Sequence, residues 1–290
     1  MAGIGYILQS KVGPCQITRK EIWYSKYVEI IFIFLVGTAI GSFLNVLVDR
    51  LPRGEGVFGG RSHCDKCKKD LAWYDLIPLF SFLILRGKCR YCHTPLSLYY
   101  PVVELTTGIL FVLVFVFLGA RIMNQELRIL DYITLVYYFI IISSLIVVFF
   151  TDLKYGIIPD AIVAPSIFVS FPYLFFNHYS LILNHLLSGG GAFLFFLFLF
   201  LITKGRGMGF GDVKLSFLLG LVLGFPKIAV ALYISFLTGA IVGCILIIWK
   251  RKRLHGTKIP FGPFLVFGTL LTIFLGEQIM QIMLGFLFPI

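Results

Sequence analysis

The stretch that decides the fold is YITLVYYFIIISSLIVVFFT, residues 132–151, which contains no charged residue in 20 positions. An α-helix rises about 1.5 Å per residue, so about 20 apolar residues cross the hydrocarbon core of a bilayer. The stretch therefore predicts a transmembrane helix. It ends at Asp152, and an ionisable residue at the edge of an apolar segment is costly and indicates a functional site by default.

Other segments of the chain are apolar over similar lengths, although one of them, at 213–225, is short. With 59% hydrophobic and 13% charged residues in 290, the composition excludes a soluble protein with one core and predicts an all-α polytopic membrane protein. After a polar extension at residues 1–27, we expect about eight transmembrane helices: Val28–Val48, Pro101–Gly119, Tyr132–Thr151, Pro159–Phe176, Leu183–Thr203, Val213–Phe225, Lys227–Trp249 and Phe261–Phe288.

The distribution of basic residues predicts the orientation in the membrane. When loops alternate between the two sides, one side carries 18 of the 25 Lys and Arg residues, in the loops 49–100, 151–158, 204–214 and 250–258. By the positive-inside rule these loops face the cytoplasm. The net charge of +11 is therefore mostly a topology signal, and we expect the lipid bilayer, not nucleic acid, as partner.

A second aspartate, Asp212, closes the glycine-rich segment GMGFGD at residues 207–212. In the predicted topology Asp152 and Asp212 lie at the same cytoplasmic depth, so the two helices can share one site. Two neighbouring carboxylates, one ionised as base and one protonated as acid, are the minimal equipment for activating water to cut an amide. The alternatives are that Asp212 only caps its helix and that Asp152 pairs with Lys154.

The loop 49–100 is the longest polar stretch between the predicted spans, and it contains Cys64, Cys67, Cys89 and Cys92, with 21 residues between the two pairs. This spacing predicts a four-thiolate structural zinc site. A loop of about 50 residues has a small core, so a metal ion would stabilise it. A redox-active pair and free thiols remain alternatives, whereas structural disulfides do not suit the reducing cytoplasm.

Several short motifs occur in a fixed order over about residues 28–276. They are GSFLNV (41–46) with RLP (50–52), the cysteine pairs with WYDLIP (73–78) between them, YPVVEL (100–105), Asp152 followed by IPD (158–160), GFGDVK (209–214) and IPFGP (259–263). Together they resemble the bifunctional type IV prepilin peptidases of bacteria. These are membrane aspartic proteases of the glycine-x-glycine-aspartate type that also N-methylate their product.

The resemblance implies that Asp152 and Asp212 are catalytic. They would cleave the leader of prepilins or pseudopilins after a glycine, at the cytoplasmic face of the inner membrane. The new N-terminal residue would then be methylated from S-adenosylmethionine. Residues 49–100 would be the zinc domain associated with methylation, with Gly87 and Lys88 contributing, and residues 101–290 the peptidase domain. The sequence has no glycine-rich cofactor fingerprint, so methylation rests on resemblance alone.

Asn45 and Glu104 are polar residues in or at predicted spans, where burial is costly unless they are paired. Either they tie the first two spans together, or they line a cleft for substrate or cofactor. The sequence favours neither.

Four further residues surround the two aspartates in sequence. Gly209 and Gly211 let the backbone approach substrate or another helix closely. For Asp160 we expect a capping or supporting role. Lys214 either marks the membrane boundary or acts on a neighbouring carboxylate.

Two other functions fit parts of the pattern. A proton- or ion-coupled transporter would use Asp152 and Asp212 in its pathway, although such groups usually lie near the midplane. A membrane thiol oxidoreductase would use the cysteine pairs, although the charge distribution places them in the reducing cytoplasm.

Overall fold

The computed structural model describes residues 19–57, 59–64, 66–122, 129–177, 179–205, 207–248 and 260–287. Within these ranges the chain is helical and has no strand beyond two isolated bridges. The helices are α1 (Arg19–Arg50), α2 (Phe80–Ile84), α3 (Tyr99–Ile122), α4 (Ile129–Tyr155), α5 (Asp160–Asn177), α6 (Ile182–Ile202), α7 (Phe210–Leu223), α8 (Lys227–Ile248) and α9 (Gly262–Leu287). Short 3₁₀ turns cover Leu51–Arg53, Trp73–Leu76 and Tyr179–Leu181.

Seven helices among the described residues are long and apolar enough to cross a membrane, namely α1, α3, α4, α5, α6, α8 and α9. The prediction of an all-α polytopic membrane protein is confirmed. Because α1 begins at Arg19, residues 19–27 are helical and continuous with the first span. Residues 1–18 of the predicted extension, and the whole basic loop 250–258, lie outside the described residues.

The predicted span 213–225 corresponds to α7, which has 14 residues and is therefore only about 21 Å long. It is a largely buried helix that packs along α6, and its 14 residues are fewer than the about 20 of a typical span. The amide N–H of Phe225 donates to Asn184 Oδ1 at 3.0 Å, and Asn184 Nδ2 donates to the carbonyl of Phe225 at 2.9 Å. These bonds join the end of α7 to the start of α6, so α7 together with its preceding loop covers the length of α6.

The interior consists of two apolar clusters, and α4 contributes to both. Ile142 and Ile146 pack with residues of α1 and α3. Ile141 and Leu145 pack with residues of α5 to α9. Because α4 lies between the clusters, its C-terminal end, which carries Asp152, is held from both sides.

Candidate functional site

Asp152 lies at the end of α4 and is buried. Its Oδ2 accepts the N–H of Gly262 at 2.9 Å, and Gly262 is the first residue of α9. The N-terminus of a helix presents unpaired N–H groups and a partial positive charge, which stabilise a carboxylate. A Cβ at Gly262 would lie 2.6 Å from this oxygen, so the contact requires glycine.

Asp212 occupies the first turn of α7 and is also buried. Its Oδ2 accepts the N–H of Gly209 at 3.2 Å, so the capping role considered as an alternative is present. Its Oδ1 is buried without a hydrogen-bond partner among the described residues. Asp152 is near enough to interact electrostatically with Asp212. The structure thus brings the two carboxylates together, each at the N-terminus of a helix.

The two glycines of the GFGD segment differ in their surroundings. A Cβ at Gly211 would lie 2.9 Å from Cβ of Ile158, so this glycine lets the segment after α4 pack against α7. At Gly209 the nearest atom to such a Cβ is Asp212 Oδ2 at 3.7 Å, which is an ordinary contact. Steric space therefore requires glycine at 211 but not at 209.

The charged residues around the aspartates pair with other groups. Lys214 forms an ion pair with Asp160 and so joins α7 to the start of α5. Lys154 pairs with Asp49 of α1 at 2.6 Å, not with Asp152. Asp49 also accepts hydrogen bonds from the hydroxyls of Tyr100 and Tyr155, both at 3.2 Å. The loop domain and Asp152 therefore lie at the same end of the helix bundle.

The cysteine pairs converge on one point. The Sγ atoms of Cys64, Cys67, Cys89 and Cys92 all lie within 4.8 Å of one another, and the Cys64–Cys92 distance is 3.7 Å. Zinc–sulfur bonds of about 2.3 Å in a tetrahedron separate the sulfurs by about 3.8 Å, so the residues fit a zinc ion. Hydrogen bonding from the side chain of Thr94, and then from its backbone, lowers the pKa of Cys92 to about 6. The backbone of Lys69 lowers the pKa of Cys67, but burial and hydrogen bonding with Cys64 and Cys92 outweigh it and raise that pKa to about 11, so the four thiols titrate as one interacting group.

The two cysteine turns have the same backbone geometry. Lys68 N–H donates to the Cys64 carbonyl, and His93 N–H donates to the Cys89 carbonyl. Lys68 and His93 each follow the first cysteine of their pair by four residues and have φ of 56° and 54°. Each turn therefore directs two thiols to the same side, as a shared metal site requires.

Other residues of the loop domain hold it together and attach it to the helices. Arg90 donates to Asp75 at 2.6 Å, which joins the WYDLIP segment to the second cysteine turn. Gly87, with φ of +67°, forms the turn before Cys89, and a Cβ there would lie 3.0 Å from the Phe82 ring. Lys88 forms an isolated bridge with Pro95. The contribution of Gly87 and Lys88 to methyl transfer stays a prediction.

A cavity of about 320 Å³ lies between the loop domain and the ends of α1 and α3. Asn45 and Glu104 both line it, together with Asp49. Asn45 Nδ2 donates to the Tyr100 carbonyl at 3.2 Å, and Glu104 Oε2 accepts the N–H of Leu79 at 2.9 Å. Both residues therefore join elements and also line a cavity, and binding of substrate or cofactor there stays a prediction.

Sequence reasoning assigned no role to Gly262 or Asp49. Gly262 is part of the IPFGP motif at residues 259–263. The motif does not reveal that the Gly262 N–H binds the carboxylate of Asp152, which lies 110 residues earlier in the chain. Asp49 follows the first span directly, and its partner Lys154 lies two residues after Asp152. In the sequence, the only signal of the contact between Asp49 and Lys154 was that both residues lie just beyond the end of a predicted span.

Two family profiles match the chain. The profile of the Bacterial Peptidase A24 N-terminal domain matches residues 35–118, and that of the Type IV leader peptidase family matches residues 139–244. The chain is similar to three proteins named prepilin leader peptidase/N-methyltransferase. The one from Legionella pneumophila is 31% identical over 88% of this chain and 96% of the relative. The one from Bacillus subtilis is 32% identical over 86% of this chain and 95% of the relative.

The third, from Myxococcus xanthus, is 31% identical over 75% of this chain and 63% of the relative. No solved structure matches the chain. The profile matches cover the helices that carry Glu104, Asp152 and Asp212. With relatives above 30% identity that are matched over nearly their whole length, the chain belongs to the type IV leader peptidase family.

Proposed function

We propose that this chain cleaves the leader peptide of type IV prepilins or pseudopilins after a glycine, with Asp152, Asp212 and water. We further propose that it methylates the new N-terminal residue from S-adenosylmethionine. Both steps would occur at the cytoplasmic face of the inner membrane. The observation that carries the proposal is the convergence of two buried carboxylates at the N-termini of α9 and α7. Family membership disfavours the transporter and the thiol oxidoreductase.

The arrangement suits general acid–base catalysis on an amide. Two neighbouring carboxylates repel each other when both are ionised, so the pair holds one proton between them. The ionised group takes a proton from the attacking water, and the protonated group donates to the scissile amide. The N–H groups of Gly262 and Gly209 each bind an Oδ2 atom. Oδ1 of Asp212 is left without a protein partner in the described chain and is available for the shared proton.

The position of the pair also suits the proposed substrate. A prepilin carries a basic leader before an apolar helix, so its cleavage point lies at the membrane boundary. Asp152 and Asp212 lie at the ends of the apolar helices α4 and α7, and Lys154 joins the end of α4 to Asp49 at the start of the loop domain. A substrate helix in the bilayer could therefore present its leader to them without leaving the membrane.

For the second step, S-adenosylmethionine supplies the methyl group when it is bound. The loop domain, with its four-thiolate site, and the adjacent cavity are the parts of the structure that we assign to this step. Zinc at Cys64, Cys67, Cys89 and Cys92 would hold the wall of the cavity in place, since Cys64 and Cys89 line it.

The test uses the purified full-length protein and a prepilin-like peptide, with products read by mass spectrometry. We expect Asp152→Asn and Asp212→Asn each to lower the cleavage rate by about 10² to 10⁴-fold. The matched control is Asp131→Asn at the opposite end of α4, which should cleave normally. With S-adenosylmethionine present, the wild-type product should gain one methyl group. Cleavage that survives both substitutions would rule out the aspartate pair.

A further inference from the structure

Glu104 is a buried acid that the peptidase chemistry does not use. Its side chain is 8% exposed, and it accepts hydrogen bonds from the N–H of Leu79 and from Ser42. Both donors are neutral, and no basic side chain pairs with Glu104 in the described part of the chain. A buried carboxylate without a counter-ion is either neutralised by a proton or stabilised by a cation, so a cationic ligand would favour its ionised form.

Asn45 adds a second acceptor beside the same cavity. Its side chain is 6% exposed and its Nδ2 is bound to the Tyr100 carbonyl, which fixes the direction of the amide. Its Oδ1 is buried and has no hydrogen-bond partner among the described residues. Buried acceptors are nearly always paired, and an exception calls for an explanation. A ligand that donates hydrogen bonds would provide one.

The backbone that holds Glu104 is strained. Leu79 has φ of +61° and ψ of −48°, a conformation that a bulky residue rarely adopts. Its N–H is the one that binds Glu104 Oε2. Strain of this kind persists where the surrounding structure enforces it, and it is concentrated at functional sites. Here it fixes the position of the carboxylate.

The other wall of the cavity belongs to the loop domain and carries the basic residues Arg50, Arg53 and Lys68 together with the acids Glu55 and Asp75. Asp75 is paired with Arg90, so basic groups remain on this wall for an anionic group of a ligand whose ammonium binds the acceptors on the first wall. The volume of about 320 Å³ lies within the range of small-molecule sites, about 300 to 1,000 Å³.

The cavity also adjoins the end of α4. Asp49 lines it and pairs with Lys154, which follows Asp152 by two residues. The cavity and Asp152 therefore lie at the same end of the helix bundle.

We propose that Glu104 and Asn45 bind a primary α-ammonium group in the cavity, Glu104 through its charge and Asn45 through Oδ1. This assignment rests on the proposed function, which supplies two such groups. One is the amino-acid end of the methyl donor, and the other is the new N-terminus of the cleaved product. Both sources carry the same primary ammonium group, and two binding measurements distinguish them.

The first measurement is the affinity of S-adenosylhomocysteine and of its deaminated analogue for the wild type and for Glu104→Gln, by calorimetry. The glutamine can still accept the Leu79 N–H, so the variant removes charge with little change in shape. If the donor supplies the ammonium, Glu104→Gln should weaken S-adenosylhomocysteine binding about tenfold or more and leave the deaminated analogue nearly unaffected.

The second measurement uses a fluorescent peptide with the sequence of the mature N-terminus, free or N-acetylated. If the peptide supplies the ammonium, Glu104→Gln should weaken binding of the free peptide about tenfold and leave binding of the acetylated peptide unchanged. The control is Glu277→Gln, the same change in α9 outside the cavity lining, which should alter neither affinity. Zinc content and melting temperature confirm that each variant is folded.

A selective loss in either measurement supports the assignment and identifies the source. Equal binding of all four ligands by wild type and Glu104→Gln overturns it. The cleavage assay keeps this result separate from the proposed function. If the wild type cleaves and methylates its substrate and Glu104→Gln binds the ligands with normal affinity, only the role of Glu104 is refuted. A wild type that neither cleaves nor methylates refutes the proposed function itself.

Discussion

The N–H of Gly262 donates to Oδ2 of Asp152 at 2.9 Å, and this bond joins the start of α9 to the end of α4. It sets the carboxylate at the positive end of a helix without using a charged side chain. A lysine or arginine in this position would also stabilise the ionised form, but it would disfavour the proton that the proposed acid–base mechanism needs on one of the two carboxylates. A backbone N–H instead orients Asp152, and the protonation of the pair then depends on the neighbouring Asp212.

Gly262→Ala should therefore impair cleavage. The added Cβ would lie 2.6 Å from Asp152 Oδ2, so the carboxylate must shift. A displacement of about 1 Å at a catalytic group costs about 10²-fold in rate, which we expect in the peptide cleavage assay. Gly243→Ala in α8 is the control, because a Cβ there meets no atom within 4 Å. Normal cleavage by Gly262→Ala would show that the bond does not position Asp152.

Gly211→Ala should also impair cleavage, through a different neighbour. Its Cβ would lie 2.9 Å from Cβ of Ile158, so α7 and the segment after α4 must separate. The double variant Gly211→Ala with Ile158→Gly removes the opposing Cβ and should recover part of the lost rate. The comparison is Gly190→Ala, which meets no atom within 4 Å. Failure of the second substitution to restore any activity would contradict the steric explanation.

Removal of one thiol should release zinc from the loop domain. We expect about one zinc ion per chain in the wild type by elemental analysis, and a loss of most of it in Cys92→Ser. Methylation should fall, whereas cleavage should persist, since Asp152 and Asp212 are held by α4, α7 and α9. Cys244→Ser removes an isolated cysteine and should keep its zinc. Full zinc content in Cys92→Ser would exclude the four-thiolate site.

The ion pair between Asp49 and Lys154 should contribute measurable stability. A double-mutant cycle with Asp49→Asn and Lys154→Gln, read as thermal unfolding in detergent, should give a coupling of about 0.5 to 1 kcal/mol, because both groups are partly exposed. The pair Lys227–Glu277, at 3.5 Å and with a more exposed carboxylate, is the comparison and should couple more weakly. Zero coupling for Asp49 and Lys154 would mean that other contacts attach α1 to α4.

The helical class, most span positions and the two aspartates could be predicted from sequence, because apolar length and isolated charges are local signals. The nature of α7 was harder to predict, since the 13-residue segment 213–225 is mostly apolar, as a span is, and its burial depends on α6. Contacts such as Gly262 with Asp152 join distant parts of the chain, and periodicity carries no information about them. The unpaired Oδ1 of Asn45 likewise depends on the fold, since a sequence does not show which acceptors lack donors.

Helix α4 has one consequence for how the protein can change over evolution. Its Ile142 and Ile146 side is packed against α1 and α3, and its Ile141 and Leu145 side against α5 to α9. Asp152 and Lys154 both extend from its last turns. A substitution that tilts this helix would move Asp152 and, through the ion pair of Lys154 with Asp49, would also disturb the wall of the cavity. Under the proposed function, selection on one reaction is constrained by the other, and α4 should tolerate fewer changes than helices that serve only one half of the molecule.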